Sequence, residues 1–417
     1  MAVIKPFSAI RPQAEEVHKV AALPYDVVNS EEARKIVEQQ PNSFMKIDRA
    51  EVQLDDNVNP YDEKVYLKAR DTLNEMIEEG IFVQDEEPCL YLYQLIMDGR
   101  VQTGLVACAS IDDYVNNVIK KHENTREQKE LDRIRHVDCC NAQTGPIFLA
   151  YRSNKTVSEL INDIINKEQP IYDFVADDNV GHKVWAIKAK NQIGTIIDAF
   201  KEIENIYIAD GHHRAASAVK VGLKRRKENP EYNGKESFNF FLSVLFPHEE
   251  LEILPYNRVV KDINGHTEES FIEEIKKSFD VELIGDKPYQ PNEKATFGMF
   301  INNKWYKLSI KKELIPSNDP VKKLDVSLLQ DYLLNPILDI KDPRLDSRID
   351  FVGGIRGLNE LERRANKDMK IAFSMYPTSI NELFEVSDAN QLMPPKSTWF
   401  EPKLRSGLFI HSLEKPY

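Results

Sequence analysis

Apolar residues recur along the chain with the spacings of helices and strands. Between residues 61 and 79 they return every three or four positions and Gly80 ends the pattern, so we predict a helix there. The apolar runs 90–97 and 101–111 flank Asp98-Gly99, a pair typical of a tight hairpin turn. A helix is therefore followed directly by two paired strands.

The chain up to residue 246 continues this mixture. The pattern predicts helices at 30–39, 128–137, 157–167 and 193–202, a further helix from His213, and strands at 146–151, 171–176, 183–187, 206–209 and 239–246. Strand hairpins mixed with helices are typical of α+β proteins. We therefore predict an α+β fold.

A second set of elements begins near residue 247. It comprises predicted helices at 271–279 and 326–334, a hairpin of 295–301 with 305–310, and a strand at 350–352. A chain of 417 residues exceeds the length that one hydrophobic core serves, roughly 250 to 300 residues. We predict two domains, 1–247 and 248–417, the second an α/β domain that closes the functional site of the first.

Composition excludes several classes of protein. The formal net charge of -13 argues against a surface for nucleic acid. No apolar run approaches the roughly 20 residues that span a bilayer, and the first residues lack the pattern of a signal peptide. We expect a cytoplasmic protein without membrane or nucleic-acid partners. Four cysteines, two of them adjacent, predict neither a disulfide framework nor a zinc site.

The densest group of functional side chains is Asp210-Gly211-His212-His213-Arg214, between a predicted strand and a predicted helix. Free N–H groups at a helix start bind phosphate oxygens, glycine lets the backbone approach them, and Arg214 adds a bidentate cation. The alternative is a capped helix, with Asp210 as N-cap and two surface histidines.

A second group is His122-Glu123-Asn124-Thr125-Arg126. Arg126 stands where a zinc motif His-Glu-x-x-His needs its second histidine, so we do not predict zinc. An imidazole, a carboxylate, a hydroxyl and a guanidinium in five residues suit the handling of phosphate and protons. The alternative is an exposed polar turn.

Two shorter segments carry chemistry of their own. Asp26 follows Pro24-Tyr25 and either binds a magnesium ion or forms a turn. The segment Lys396-Ser397-Thr398 either closes over a ligand or forms a rigid surface turn behind two prolines.

The Asp210-Gly211-His212-x-Arg214 pattern resembles the phosphate-binding box of the ParB and sulfiredoxin superfamily, which includes free-serine kinases. The chain as a whole resembles the family called domain of unknown function 1015. The segments that carry this resemblance are 7–12, 23–27, 122–125 with Asp132-Arg133, 208–214, 351–354, 393–400, 402–403 and 406–407. The resemblance implies a first domain with a ParB/sulfiredoxin-like mixed sheet.

The resemblance also implies roles for individual residues. In the serine kinases of this superfamily the box places nucleotide phosphates, and an acidic residue takes the proton of the serine hydroxyl. We predict Glu123, Asp210, His212, His213 and Arg214 as catalytic, with Asp26 as the metal ligand. Predicted phosphate contacts are Gly211, His122, Thr125, Arg126, Arg133, Lys396, Ser397 and Thr398. Glu123 is preferred to Asp26 as the base because an imidazole and a guanidinium stand beside it.

These observations predict phosphoryl transfer to a small hydroxylated metabolite. The resemblance favours a free L-serine kinase that uses ATP or ADP, with Mg²⁺ offsetting the phosphate charge. One alternative is a phosphoserine phosphatase in which His212 or His213 is the nucleophile or the general acid. The other is a nucleotide-sensing protein in the manner of ParB. The sequence leaves the phosphoryl donor, the direction of transfer and the oligomeric state open.

Overall fold

The computed structural model describes residues 1–414. The chain divides into two compact units, the first made of Met1–Leu251 and the residues from Pro402 onward, the second of Glu252–Glu401. The predicted boundary after residue 247 thus differs by four residues from the one observed after Leu251. The predicted second domain also differs at its end, because the chain after Glu401 belongs to the first unit.

The strands range in length from two to eleven residues. They are β1 (Ile4–Lys5), β2 (Ile10–Pro12), β3 (Phe82–Gln84), β4 (Leu90–Met97), β5 (Arg100–Ser110), β6 (Ile119–Lys120), β7 (Ala142–Gln143), β8 (Ile147–Tyr151), β9 (Tyr172–Val175), β10 (Gly181–Ile187), β11 (Ile206–Asp210), β12 (Phe240–Pro247), β13 (Glu252–Leu254), β14 (Tyr256–Val260), β15 (Phe279–Gly285), β16 (Thr296–Ile301), β17 (Lys304–Ile310), β18 (Ile349–Gly353), β19 (Ile371–Met375), β20 (Trp399–Glu401) and β21 (His411–Ser412).

The helices range from one turn to more than four turns. They are α1 (Val17–Val20), α2 (Ser30–Gln39), α3 (Met45–Asp48), α4 (Glu63–Glu78), α5 (Ile111–Val115), α6 (Glu127–Cys140), α7 (Lys155–Lys167), α8 (Lys190–Lys201), α9 (His212–Glu228), α10 (Glu268–Ile275), α11 (Asp325–Leu329), α12 (Gly357–Lys367) and α13 (Ile380–Asp388). A π-helical turn, Gln330–Leu334, continues α11. Short 3-10 turns lie at Ala50–Gln53, Ser237–Asn239, His248–Glu250, Lys312–Leu314 and Gly354–Arg356.

A nine-stranded mixed sheet forms the first unit. Its order is β6-β11-β8-β12-β5-β4-β10-β9, and β1 also pairs with β5. Two pairs are parallel, β11 with β6 and β12 with β8, while the others are antiparallel. One core joins this sheet to α7, α8 and α9, and a second core joins α2, α3 and α4. The mixed sheet with interspersed helices confirms the α+β prediction.

The sequence of β11 and α9 explains how the strand passes into the helix. Ile206, Tyr207 and Ile208 are fully buried between neighbouring strands, as a continuous apolar run requires. Small residues follow in α9, where Ala215, Ala216 and Ala218 are buried and let the helix lie close to its neighbours. The hydroxyl of Ser217 donates to the Glu130 carbonyl of α6 at 3.1 Å, so α9 and α6 are in close contact.

The second unit contains a six-stranded sheet in the order β15-β17-β16-β19-β14-β18. All of its pairings are antiparallel. The prediction of an α/β domain for this unit is therefore corrected, because antiparallel strands with helices on the sheet make it α+β as well. Val259, Val352 and Leu361 belong to the core between this sheet and α12.

No helix among residues 1–414 is both long enough and apolar enough to cross a membrane.

Candidate functional site

The turn between β11 and α9 is built around a left-handed glycine. Gly211 has φ of 91° and ψ of 32° and occupies the N-cap position of α9. A side chain at this position would be strained, and its Cβ would lie 3.1 Å from the Nε of Arg214. The register of β11 also shifts between Ile208 and Asp210, which re-aims the end of the strand. The turn therefore brings Asp210, the helix start and Arg214 together.

Asp210 is an ion-pair partner within the fold. Its Oδ1 accepts the Gly211 N–H at 2.7 Å, and its Oδ2 lies 3.2 Å from the Nζ of Lys403. Burial raises the pKa of Asp210, but the charges of Lys403 and Arg214 outweigh burial and bring that pKa far below its usual value. Asp210 is thus held as a carboxylate, paired with a lysine 193 positions away.

Arg214 is half-buried and lies in the wall of a cavity. Its Nη1 donates to the Pro146 carbonyl at 2.6 Å. Among residues 1–414, no carboxylate forms a salt bridge with its guanidinium, since Asp210 pairs with Lys403 instead. A guanidinium has five N–H donors, so most of its capacity stays available to an anion.

The cavity beside Arg214 presents charges of both signs. Its polar wall comprises Tyr25, Asp48, Arg133, His136, Thr144 and Arg214. Arg133 is paired with Asp132 at 2.8 Å, and its guanidinium lies 4.1 Å from the centre of the Tyr25 ring. Asp48 accepts the Thr144 hydroxyl at 3.0 Å. Two arginines and one carboxylate thus line a cavity of about 30 Å³, the space of about two water molecules, so a larger ligand requires side chains of the wall to move.

His122 and His212 form a buried pair next to Asp210. Their rings meet edge to face with centroids 4.5 Å apart. The Nδ1 of His122 and the Nε2 of His212 are buried and have no hydrogen-bond partner in the described residues. Glu123 lies at the rim, with Oε2 3.9 Å from the Nδ1 of His212 and 44% of its side chain exposed. An exposed carboxylate thus lies beside the buried imidazole of His212.

Acid should destabilise the first unit through this pair. Burial lowers the pKa of His122 to about 4 and that of His212 well below its usual value. Both imidazoles have a higher pKa in the unfolded chain than in the fold. The folded state therefore has its full stability, as far as these histidines affect it, above about pH 6.5, and it loses stability as the pH falls toward 4.

When the pH is lowered from about 7 to about 5, the free energy of unfolding should fall in both proteins. We expect the fall to be about 2 kcal/mol smaller in His122→Gln than in the wild type. Urea unfolding at the two pH values measures the difference. The control is His18→Gln, because His18 is exposed. Equal acid sensitivity of His122→Gln and the wild type would show that the imidazole is not held neutral.

The remaining residues of the 122–126 segment have structural contacts. The Thr125 hydroxyl donates to Glu130 Oε2 at 2.9 Å within the start of α6. The Arg126 N–H donates to the Nε2 of His213 at 2.9 Å, so this nitrogen acts as an acceptor in the fold. Their predicted roles in phosphate binding and catalysis stay predictions. The first contact ties the segment to α6 and the second ties it to α9.

The structure offers no ready-made metal centre. Asp26 is exposed. No group of three or more His, Cys, Asp or Glu side chains among residues 1–414 is placed to hold an ion. The described residues thus do not form a magnesium site from protein ligands alone.

Lys396, Ser397 and Thr398 belong to the second unit. The Ser397 hydroxyl donates to the Pro394 carbonyl at 2.6 Å, and the Ser397 carbonyl accepts the Thr378 hydroxyl at 2.9 Å. The Lys396 ammonium lies 5.3 Å from the centre of the Tyr256 ring. Lys396 and Ser397 are thus part of a bonded turn, and phosphate binding by this segment remains a prediction.

Comparison with known proteins identifies the family. One family model, described as "Protein of unknown function (DUF1015)", matches residues 4–327. The chain belongs to this family. No curated protein matches it in sequence.

Several solved structures resemble the chain distantly. A free serine kinase variant in complex with ADP is 14% identical with a TM-score of 0.36, over 74% of this chain and 93% of that one. A conserved hypothetical protein from Pyrococcus furiosus is 15% identical with a TM-score of 0.34, over 74% and 95%. SbnI with a C-terminal truncation, from Staphylococcus aureus, is 11% identical with a TM-score of 0.37, over 73% and 86%. The ParB/sulfiredoxin-like fold of this family member therefore stays a prediction.

Several residues of the site could not be assigned to it from the sequence alone. Lys403 lies in a matched segment of the family, but its partner is Asp210, far away in the chain. Tyr25, Asp48 and Thr144 join the cavity from three separate segments. Only the buried position of Asp48, a carboxylate at 5% exposure, distinguishes it once the fold is known.

Proposed function

We propose that the first unit transfers a phosphoryl group between a nucleotide and a small hydroxylated amino acid, with free L-serine as the acceptor. The observation that carries this proposal is Arg214, a half-buried cation in a cavity wall without a carboxylate partner in the described residues. A cation in such a place gains most from a phosphate, because desolvation strengthens a charge-assisted hydrogen bond.

Phosphate binding in this proposal uses the start of α9 together with Arg214. The first N–H groups of a helix have no partner inside the helix and carry partial positive charge. Lys403 neutralises Asp210, so the carboxylate at the end of β11 does not repel the incoming phosphate. Arg133, on the same cavity wall, adds a second guanidinium.

The mixed charge of the cavity favours an amino acid over other hydroxylated metabolites. Serine carries an ammonium group, a carboxylate and a hydroxyl. Asp48 offers a partner for the ammonium, while Arg133 and Arg214 offer partners for anions. A sugar or an uncharged alcohol would form an ion pair with neither the Asp48 carboxylate nor the two guanidinium groups.

Glu123 is the proposed base. Its carboxylate is open to solvent and borders His212, which burial keeps neutral by lowering its pKa. In the proposed step, the serine hydroxyl oxygen forms a bond to the terminal phosphorus while the bond from that phosphorus to the bridging oxygen of the donor breaks. The hydroxyl proton passes to Glu123.

Hydrolysis of phosphoserine is the second candidate, and the free Nε2 of His212 favours it. A neutral imidazole whose Nε2 has no hydrogen-bond partner can act as a nucleophile toward phosphorus. The Nε2 of His213 is less suited to this role, because it accepts a backbone N–H.

Phosphorus NMR of the purified protein distinguishes these activities. We expect phosphoserine to form from serine only when ATP, ADP or pyrophosphate is supplied. Free phosphate released from phosphoserine without any donor would select the phosphatase. Binding of nucleotide without turnover of either substrate would contradict both enzymes and select a nucleotide sensor.

A further inference from the structure

The second unit contains a cavity of its own. It has a volume of about 390 Å³, within the range of small-molecule sites. Its apolar wall residues are Val321, Val326, Leu334, Pro343, Ile349, Phe351, Leu392, Met393, Pro394 and Pro395. Its polar residues are Arg258, Gln330, Lys341, Asp342 and Arg344. All of these residues belong to the second unit, so this cavity is separate from the one that contains Arg214.

Arg258 is the buried cation of this cavity. It lies in β14, between β18 and β19, and only 3% of its surface is exposed. Its Nη2 donates to the Lys396 carbonyl at 3.0 Å, and its Nη1 donates to the Tyr256 carbonyl. The guanidinium lies 5.5 Å from the centre of the Phe351 ring. Two backbone carbonyls and an aromatic ring thus hold it in place.

The charge of Arg258 is not neutralised by the protein. No carboxylate among residues 1–414 forms a salt bridge with it, and the one acidic residue of the cavity wall, Asp342, already pairs with Arg344 at 2.6 Å. Burial lowers the pKa of Arg258 to about 10, which shows the cost of keeping the charge there. A buried charge is expensive unless a counter-charge accompanies it.

We propose that this cavity binds a small organic anion, with its carboxylate or phosphate on Arg258 and its apolar body against Phe351, Met393 and Pro394. Two of the five N–H donors of Arg258 are used by carbonyls, which leaves donors for an anion. Lys341 and Arg344 also line the wall, but they pair with Asp339 at 3.6 Å and with Asp342 at 2.6 Å, so Arg258 is the cation of the wall that has no carboxylate partner among residues 1–414. The apolar walls exclude a bare inorganic ion as the best ligand, because it would leave them uncovered.

Phenylacetate and phenyl phosphate are suitable probes of the full-length protein, because each joins one ring to one anion. We expect at least one to bind saturably, with a dissociation constant of about 1 mM or tighter in calorimetry. Benzyl alcohol, which has the ring without the charge, should bind at least about tenfold more weakly. The probe that binds more tightly identifies the anionic group.

Two variants test whether Arg258 binds a ligand or only stabilises the fold. Arg258→Met removes the charge but keeps an unbranched apolar chain, and Val321→Phe fills the cavity without altering Arg258. We expect each to weaken binding of the better probe at least about tenfold. Val321→Phe decides the question if Arg258→Met does not fold. No saturable binding of either anion, equal binding of benzyl alcohol, or unchanged affinity in Val321→Phe would overturn the proposal.

Discussion

Arg214→Ala should weaken the binding of phosphoserine and of nucleotide by about 2 to 4 kcal/mol, or roughly 30- to 1,000-fold in the dissociation constant. The reason is that a half-buried guanidinium without a carboxylate partner in the described residues has an anion as its natural partner. Calorimetric titration of each ligand measures the loss. The variant gives up one hydrogen bond, to the Pro146 carbonyl, worth about 1 kcal/mol, and the attraction between Arg214 and Asp210. The fold should survive, because Lys403 still pairs with Asp210.

Two further variants test whether the geometry or the charge of Arg214 matters. Arg214→Lys keeps the charge but loses the planar fork, so we expect it to recover only part of the affinity. Lys227→Ala removes an exposed charge from the same helix and should change little. Unchanged affinity of Arg214→Ala for every phosphate-bearing ligand would contradict the phosphate site. A collapse of its melting temperature would instead assign Arg214 to the fold.

Glu123→Gln should lower turnover by about 10²- to 10⁴-fold with substrate binding nearly preserved, the effect of losing one positioned proton-transfer group. Glutamine keeps the size of the side chain and cannot take the proton of the hydroxyl. Steady-state kinetics with serine and the donor separate the loss in kcat from any change in KM. A Glu123→Gln enzyme with near-normal turnover would end the assignment.

The controls for Glu123 are a neighbouring carboxylate and the rival base. Glu127→Gln changes another exposed carboxylate at the start of α6 and should leave turnover within about twofold, as surface substitutions usually do. Asp26→Asn is measured at several magnesium concentrations. Rescue by excess magnesium would make Asp26 a metal ligand, and a large loss that magnesium does not change would move the base to Asp26.

Local patterns of the sequence predict those elements whose stability is mainly local. The predicted helix 30–39 is α2 with the same bounds, because Asn29 and Glu32 form a capping box. Asp98-Gly99 turns between β4 and β5 with positive φ at both residues, and Asn302-Asn303 does the same between β16 and β17. Such turns need residues that tolerate left-handed backbone, and the sequence shows them directly.

Elements that depend on distant partners are predicted less well. The helix expected at 271–279 is observed at Glu268–Ile275, because Thr267 caps it, and Phe279 instead begins β15 beside β17. Strand β21 exists only through its pairing with β7, more than 260 residues earlier. The return of the chain after Glu401 to the first unit is of the same kind, since tertiary contacts decide it.

The same contrast between local and distant contacts holds for the functional site. The turn at Gly211 and the position of Arg214 after it could be predicted, because a strand, a glycine and a helix start adjoin in the sequence. The pairing of Asp210 with Lys403 could not, and it changes the role of Asp210 from an available carboxylate to a neutralised one. Asp48 was also absent from the predicted site, although it gives the cavity its negative charge.

The measurement that tests the phosphate site most directly is a crystal structure of the protein with O-phospho-L-serine. We expect the phosphate of the ligand to lie within hydrogen-bond distance of the Arg214 guanidinium and of the first N–H groups of α9. The ammonium group of the ligand should lie at Asp48. Phosphoserine bound elsewhere, with Arg214 still donating only to the Pro146 carbonyl, would contradict it.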